Sequence, residues 1–179
     1  IFYVFAVDEQ QGSGGLSYSE VDMSLSGGLG AVTINKNIQL ITPTCEKVTT
    51  VRHDNGEDIW VITHEWNTDA FYSYLVTNGG VNTTPVISNS GVQIGPMGLN
   101  VVGYMKASPN GKLLALANTG QFNNGLGFNL ETMLFSFDNS NGAVSNYVSI
   151  SNSFVGFEAY GVEFSPSSEV LYLSQSDGA

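Results

Sequence analysis

Apolar and polar residues alternate along this chain in short bursts of five to ten residues, separated by clusters of Gly, Asn, Ser and Pro. In the clearest burst Trp60, Ile62, His64 and Trp66 fall on one side of an extended backbone, and Val61, Thr63 and Glu65 fall on the other. That period of two belongs to a β-strand and not to a helix. The bursts predict strands over about 48–53, 59–65, 70–77 and 83–88, then about 101–107, 112–118, 131–138 and 146–150, with essentially no helix.

The bursts recur at a fixed distance. Three segments match without gaps: Val51 to Ile62, Met105 to Leu116 and Val162 to Leu173, spaced 54 and 57 residues apart. Each is a short apolar run, a polar turn (Asn55-Gly56, Ser108-Pro109-Asn110-Gly111, Ser165-Pro166-Ser167-Ser168) and a second apolar run, which is the signature of a β-hairpin. Between them lies a second repeated unit, an aromatic strand, a Gly/Asn turn and a β-branched strand. It appears as Phe71 to Val76 with Pro85-Val86-Ile87, as Met133 to Phe137 with Tyr147 to Ile150, and in degenerate form as Leu16 to Met23 with Asn37 to Leu40.

Two hairpins make four strands per repeat of about 55 residues, the unit of a β-propeller blade. The fold class read from the sequence is therefore all-β, with about three four-stranded antiparallel blades and an incomplete ring per chain. With the strands of a blade called A to D from the axis outward, Ile1 to Val7 matches strand B, as Val170 to Leu173 does. A single propeller segment over 1–179 is expected, with blades over about 1–44, 45–92 and 93–155 and a partial one over 156–179. The chain opens at Ile1 without a Met or a leader and reads as a piece of something longer. Rings need four to eight blades, so a homodimer completing a six-bladed ring is the expected way to cover the open flanks.

The Ser-Pro-x-Gly-Lys-Leu-type hairpins resemble the propeller region of large surface proteins of Bacteroidetes-type bacteria, whose blades are similar to WD-repeat and lactonase-type propellers. So does the stretch from Ile41-Thr42-Pro43-Thr44 through Glu46-Lys47-Val48 to Trp60-Val61-Ile62-Thr63-His64-Glu65-Trp66-Asn67. The resemblance implies a propeller and an extracellular or cell-surface location. It carries over no catalytic residue.

Charge narrows the partners. A formal net charge of -11, with five Lys plus Arg against sixteen Asp plus Glu, repels a phosphate backbone and argues against nucleic acid and anionic membrane surfaces. No apolar run is long enough for a membrane-spanning helix. The single cysteine, Cys45, forms no intrachain disulfide, so strand pairing and packing must hold the fold.

Candidate chemistry is sparse. Two histidines, no Gly-x-Ser-x-Gly elbow and a Cys45 read as an ordinary thiol give no catalytic set. Asp54-Asn55-Gly56-Glu57-Asp58 looks like an acidic calcium loop, but it lacks the later bidentate Glu and aligns with plain hairpin turns, so no metal and no cofactor are expected. The ungapped alignment puts Arg52, Lys106 and Glu163 at one position of strand A, where they either ring the channel or form an inter-blade ion pair. It also puts His64, Asn118 and Gln175 together at the end of strand B, beside Trp66 in one B–C connection and Gln121 and Phe122 in the next. Amides flanked by aromatic rings suit stacking and hydrogen bonding to a sugar or a peptide better than they suit proton transfer.

The function expected from the sequence is a non-catalytic extracellular or cell-surface module. It would bind glycan or protein through the face formed by the B–C and D–A connections, where loop length varies. Two alternatives stand beside it: a lactonase- or lyase-like enzyme with a channel site, and a spacer without a ligand.

Overall fold

Turn chemistry sets the first level of structure. In the computed structural model, which describes residues 1–95, 101–118, 132–150 and 158–176, the three repeated turns close with the same backbone hydrogen bonds. His53, Ser108 and Ser165 each donate an N–H to the carbonyl five residues on, that of Asp58, Leu113 and Val170, at 2.9, 2.9 and 2.8 Å. Each also accepts from the N–H three residues on, that of Gly56, Gly111 and Ser168. Those three residues take the left-handed conformation, with φ of 76°, 70° and 65°, which a glycine adopts without the Cβ penalty and Ser168 adopts with it. Asn55 and Asn110 brace the first two turns by accepting N–H groups further along the turn, from Glu57 and Asp58 and from Lys112. The acidic loop at 54–58 is thus a self-satisfied hairpin turn.

These hydrogen bonds correct the alignment. They make His53, Ser108 and Ser165 equivalent, at spacings of 55 and 57 residues, so the first segment is one residue out of phase in the ungapped match. A one-residue slip moves every side chain to the opposite face of its sheet. Lys106 and Glu163 are therefore equivalent to Val51 and not to Arg52, and Asn118 and Gln175 to Thr63 and not to His64.

The strands follow in chain order: β1 (Phe2–Val7), β2 (Leu16–Asp22), β3 (Ala31–Val32), β4 (Ile38–Ile41), β5 (Thr44–Arg52), β6 (Ile59–Glu65), β7 (Thr68–Thr77), β8 (Gly80–Val81), β9 (Val86–Ile94), β10 (Met105–Ala107), β11 (Leu113–Ala117), β12 (Thr132–Asp138), β13 (Ala143–Ile150), β14 (Glu158–Phe164) and β15 (Leu171–Ser176). The one helical piece among the described residues is a 3-10 turn at Ser26–Gly28. All pairings are antiparallel. The first sheet runs β1-β2 with β3 and β4 both on β2; the second runs β5-β6-β7 with β8 and β9 both on β7. The third runs β10-β11-β12-β13, and the fourth has β14-β15. Strand β10 is shorter than the expected 101–107 because residues 101–103 turn their carbonyls sideways, to β5, instead of continuing the ladder with β11.

The sheets stack as propeller-like blades that do not close a ring. Strand β5 lies beside β10 and β10 beside β14 at one end of the stack, while the outer strands β9 and β13 meet at the other. Two cores fill the seams. Between the second and third sheets, Val51, Trp60, Ile62, Phe71 and Ile94 meet Met105, Leu114, Leu116, Met133, Phe135 and Val144, with the Phe71 and Phe135 rings edge to face at 4.9 Å. Between the third and fourth, Ala115 and Ala117 meet Ala159, Val162 and Phe164. Strand β11 thus sends Leu114 and Leu116 into one seam and Ala115 and Ala117 into the other, which is why Leu113–Ala117 reads as an unbroken apolar run. Burying one such leucine is worth about 1.5–3 kcal/mol. Polar staples join the same sheets at their turns: Trp60 Nε1 donates to the Asn139 carbonyl at 3.0 Å, and Asn139 Nδ2 donates to the Arg52 carbonyl at 3.2 Å.

Candidate functional site

Antiparallel alternation brings the starts of β5, β7, β10 and β12 and the ends of β6, β9, β11 and β13 to one end of the blades, the end named in the sequence as the binding face. Lys47 dominates this region. It lies on β5 in phase with Cys45 and Val51, is 1% exposed, and crosses the seam between the second and third sheets. Its ammonium donates to the carbonyls of Val102 at 2.8 Å, Gly103 at 3.0 Å and Ala117 at 2.7 Å. Three N–H bonds meet three acceptors, so the group is saturated without a carboxylate partner. Burial pushes Lys47 down to about 7, against the pull of Cys45 and Glu46, while the three carbonyls favour the charged form. Sequence reasoning passed over this residue. The signal it carried was a cation in phase with an apolar face in a chain with five basic residues.

Beside it Cys45 Sγ and His64 Nδ1 stand 3.7 Å apart, and the same ring nitrogen lies 2.8 Å from the Glu65 carbonyl. Burial lifts the Cys45 thiol to about 12 and depresses His64 to about 4. Both are neutral near pH 7, a thiol and an imidazole, which is the reverse of an activated thiolate pair. His64 also packs edge-on against Phe71 at 4.6 Å, so its ring belongs to the core and not to the rim. Trp66 is half-buried against the same core, with its indole nitrogen close over Gly95. The face shared by Trp60, Ile62, His64 and Trp66 is therefore used for packing between blades.

Thr63 and Asn118, two of the three positions that the turns make equivalent, are both buried. Thr63 Oγ1 donates to the Lys47 carbonyl at 2.8 Å; Asn118 Oδ1 has no partner among the described residues. Gln175 lies on β15 opposite Ala159, with its side chain outside the described set, and Gln121 and Phe122 fall outside the described residues. Among the described residues two further hydroxyls at this end, Thr44 Oγ1 and Thr132 Oγ1, are buried and unpaired like Asn118, and a fourth, Ser73 Oγ, is mid-strand on β7.

The charges on the inner strands separate. Lys106 Nζ and Glu163 Oε2 form an inter-blade ion pair at 2.9 Å, which holds the Glu163 carboxyl below its usual range. Arg52 stays apart and donates to the Gly56 carbonyl of its own turn at 3.3 Å. No group of three or more His, Cys, Asp or Glu poised for a metal occurs among the described residues. No helix there is long and apolar enough to cross a membrane.

No family model matches the sequence, and no curated protein matches it either. The fold does have solved counterparts. A candidate 6-phosphogluconolactonase from Bacteroides fragilis superposes with a TM-score of 0.55 at 11% identity, covering 97% of this chain and 45% of that one. A second, from Bacteroides uniformis, gives 0.52 at 17% identity, covering 90% and 44%. The chain spans less than half the length of either neighbour. At these identities the likeness shows the fold, a propeller-like arrangement of blades.

Proposed function

We propose that the chain is a set of blades from an extracellular or cell-surface interaction module, and that a glycan or protein ligand meets the blade ends where β6 and β11 finish. The observation that supports this reading is the uneven distribution of unpaired polar atoms. Among the described residues, Thr44, Asn118 and Thr132 all hold theirs at that end, whereas the turns at the opposite end saturate theirs within or between themselves through Asn55, Asn110, Ser108, Ser165 and Asn139. A buried polar atom without a partner costs about 1–3 kcal/mol, so three on one face call for a function. The groups are neutral hydroxyls and an amide, suited to hydrogen bonding. The neighbouring His64 and Cys45 are held in their neutral forms by burial and are poorly placed for proton transfer or nucleophilic attack.

The isosteric pair Thr44→Val and Thr132→Val provides the test. Wild type is expected to bind at least one ligand on a combined glycan and surface-protein array. The double variant is expected to lose that binding while its melting temperature stays level or rises, because it removes only unpaired hydroxyls. Unchanged binding would contradict the assignment of this face.

A second reading, a lactonase-type enzyme, is favoured by the names of the two solved neighbours. It predicts hydrolysis of 6-phosphogluconolactone above the uncatalysed rate, and a flat trace at high protein concentration would set it aside.

A further inference from the structure

Five asparagines precede a glycine: Asn55, Asn78, Asn110, Asn124 and Asn141, of which Asn124 lies outside the described residues. Three of the other four are locked. Asn55 Oδ1 accepts the N–H groups of Glu57 and Asp58, and its Nδ2 donates to Asp58 Oδ2 at 2.8 Å. Asn110 Oδ1 accepts from the Lys112 N–H at 3.0 Å and from the Ser108 hydroxyl at 2.7 Å. Asn141 Oδ1 accepts the Ala143 N–H at 2.9 Å, and its Nδ2 donates to Asp138 Oδ2 at 2.9 Å. In all three pairs the glycine N–H is also held by a backbone carbonyl: Gly56 by His53, Gly111 by Ser108 and Gly142 by Asp138, at 3.0, 2.8 and 2.7 Å. Asn78 differs on both counts. It is exposed and sits with Gly79 in the loop between β7 and β8, where Thr77 pairs with Gly80. Among the described residues its side chain makes no hydrogen bond, and the Gly79 N–H donates at 3.0 Å to the Thr77 hydroxyl, a group that can rotate away.

We propose that Asn78 is a modification site, where the chain deamidates spontaneously through its own backbone. This does not rest on the ligand reading above. Hydroxide removes the Gly79 amide proton, the nitrogen bonds to Asn78 Cγ, the bond from Cγ to Nδ2 breaks, and the side-chain nitrogen leaves as ammonia. Water then opens the cyclic succinimide at one carbonyl or the other, giving aspartate or isoaspartate. Water and hydroxide are the only co-reactants. A following glycine has no Cβ to hinder the attack, so the sequence leaves every such pair reactive and the hydrogen bonds decide among them. At Asn55, Asn110 and Asn141 the side chain must first give up at least two hydrogen bonds, and the glycine nitrogen one more, which should slow the reaction at least about tenfold relative to Asn78. The product adds a negative charge to a chain of formal net charge -11, in a cleft that Asn78 shares with Glu57 and Asp58. Isoaspartate also inserts a methylene into the backbone of the loop and so loosens β8, which pairs with β7 only through Gly80 and Val81.

The folded chain and the chain unfolded in urea, incubated side by side at mildly alkaline pH, provide the test. Peptide mass spectrometry with electron-transfer fragmentation follows the gain of about 1 Da at each asparagine and separates aspartate from isoaspartate. In the folded chain Asn78 should convert at least about tenfold faster than Asn55, Asn110 and Asn141, and in urea the four rates should converge. In Gly79→Ala the new Cβ would lie 3.4 Å from Thr77 Oγ1 on a backbone outside the left-handed region, so this variant should keep the wild-type melting temperature and slow the reaction at Asn78 alone. A folded-state rate at Asn78 no higher than at Asn55, a preference for Asn78 that persists in urea, or a rate at Asn78 untouched by Gly79→Ala would each overturn the proposal.

Discussion

Lys47 on β5 donates to the carbonyl oxygen of Ala117, the last residue of β11, at 2.7 Å, and so ties the second sheet to the third through a buried ammonium. The same group holds the Val102 and Gly103 carbonyls and diverts the chain leading into β10 from its own ladder.

Replacing Lys47 by Met keeps the volume and removes all three donors. The expected cost is about 3 kcal/mol or more, since buried carbonyls are left without partners. Lys36→Met, at an exposed position, should change stability by less than about 0.5 kcal/mol. Urea denaturation of both variants and wild type measures the contrast, and equal midpoints would contradict the buried clamp.

His64 couples stability to acid. Burial holds it at about 4 in the folded chain against 6.5 for a free imidazole, so between those values the unfolded state binds the extra proton. Stability therefore rises with pH in this window and is lost as pH falls from about 6.5 towards 4, by up to about 3 kcal/mol. Asp22, Asp138 and Glu163, all lowered, add their own loss at the acid end, so the comparison needs His64→Gln. The variant should show a shallower fall in denaturation midpoint between pH 7 and pH 4.5, whatever its absolute stability; parallel curves would refute the assignment.

Two glycines with nearly the same backbone should respond differently to alanine. Gly56 has φ of 76° and open space around a new Cβ, so Gly56→Ala costs about 1 kcal/mol in backbone strain alone. At Gly142, with φ of 81°, the Cβ would stand 2.8 Å from the Trp60 ring, and Gly142→Ala should cost about 3 kcal/mol with a shift in Trp60 fluorescence.

Ser168 occupies the left-handed turn position that Gly56 and Gly111 fill in the other repeats, and its Oγ accepts the Asn110 N–H at 3.1 Å from the neighbouring sheet. Ser168→Gly relieves the backbone and loses that bond, for a net change of less than about 1 kcal/mol, whereas Ser168→Ala loses the bond and keeps the strain. The melting temperature of the alanine variant should be the lower of the two.

The turns show how far the sequence was readable. Asn55-Gly56 and Asn110-Gly111 announced equivalent hairpins, and the predicted strands match β6, β7, β11 and β12 within two residues at each end. The phase of the first repeat was misjudged because both faces of a blade strand are buried. Val51 and Met105 are equally apolar although they line their shared seam from opposite sides, so hydropathy alone cannot distinguish them. Turn hydrogen bonding could have, had glycine been aligned with glycine. The role of Lys47 was illegible for another reason: its partners are backbone carbonyls 55 to 70 residues away, which leave no trace in side-chain identity. The burial of His64 follows from the same misjudged phase.

The central claim, that the repeats stack face to face as neighbouring blades, rests most directly on the Phe71 and Phe135 rings, which come from different sheets and stand 4.9 Å apart. A two-dimensional nuclear Overhauser spectrum of protein with labelled phenylalanine measures that proximity. Strong cross-peaks between the Phe71 and Phe135 ring protons are predicted, lost in Phe135→Leu. Assigned rings without a cross-peak between them would contradict the stacked-blade account.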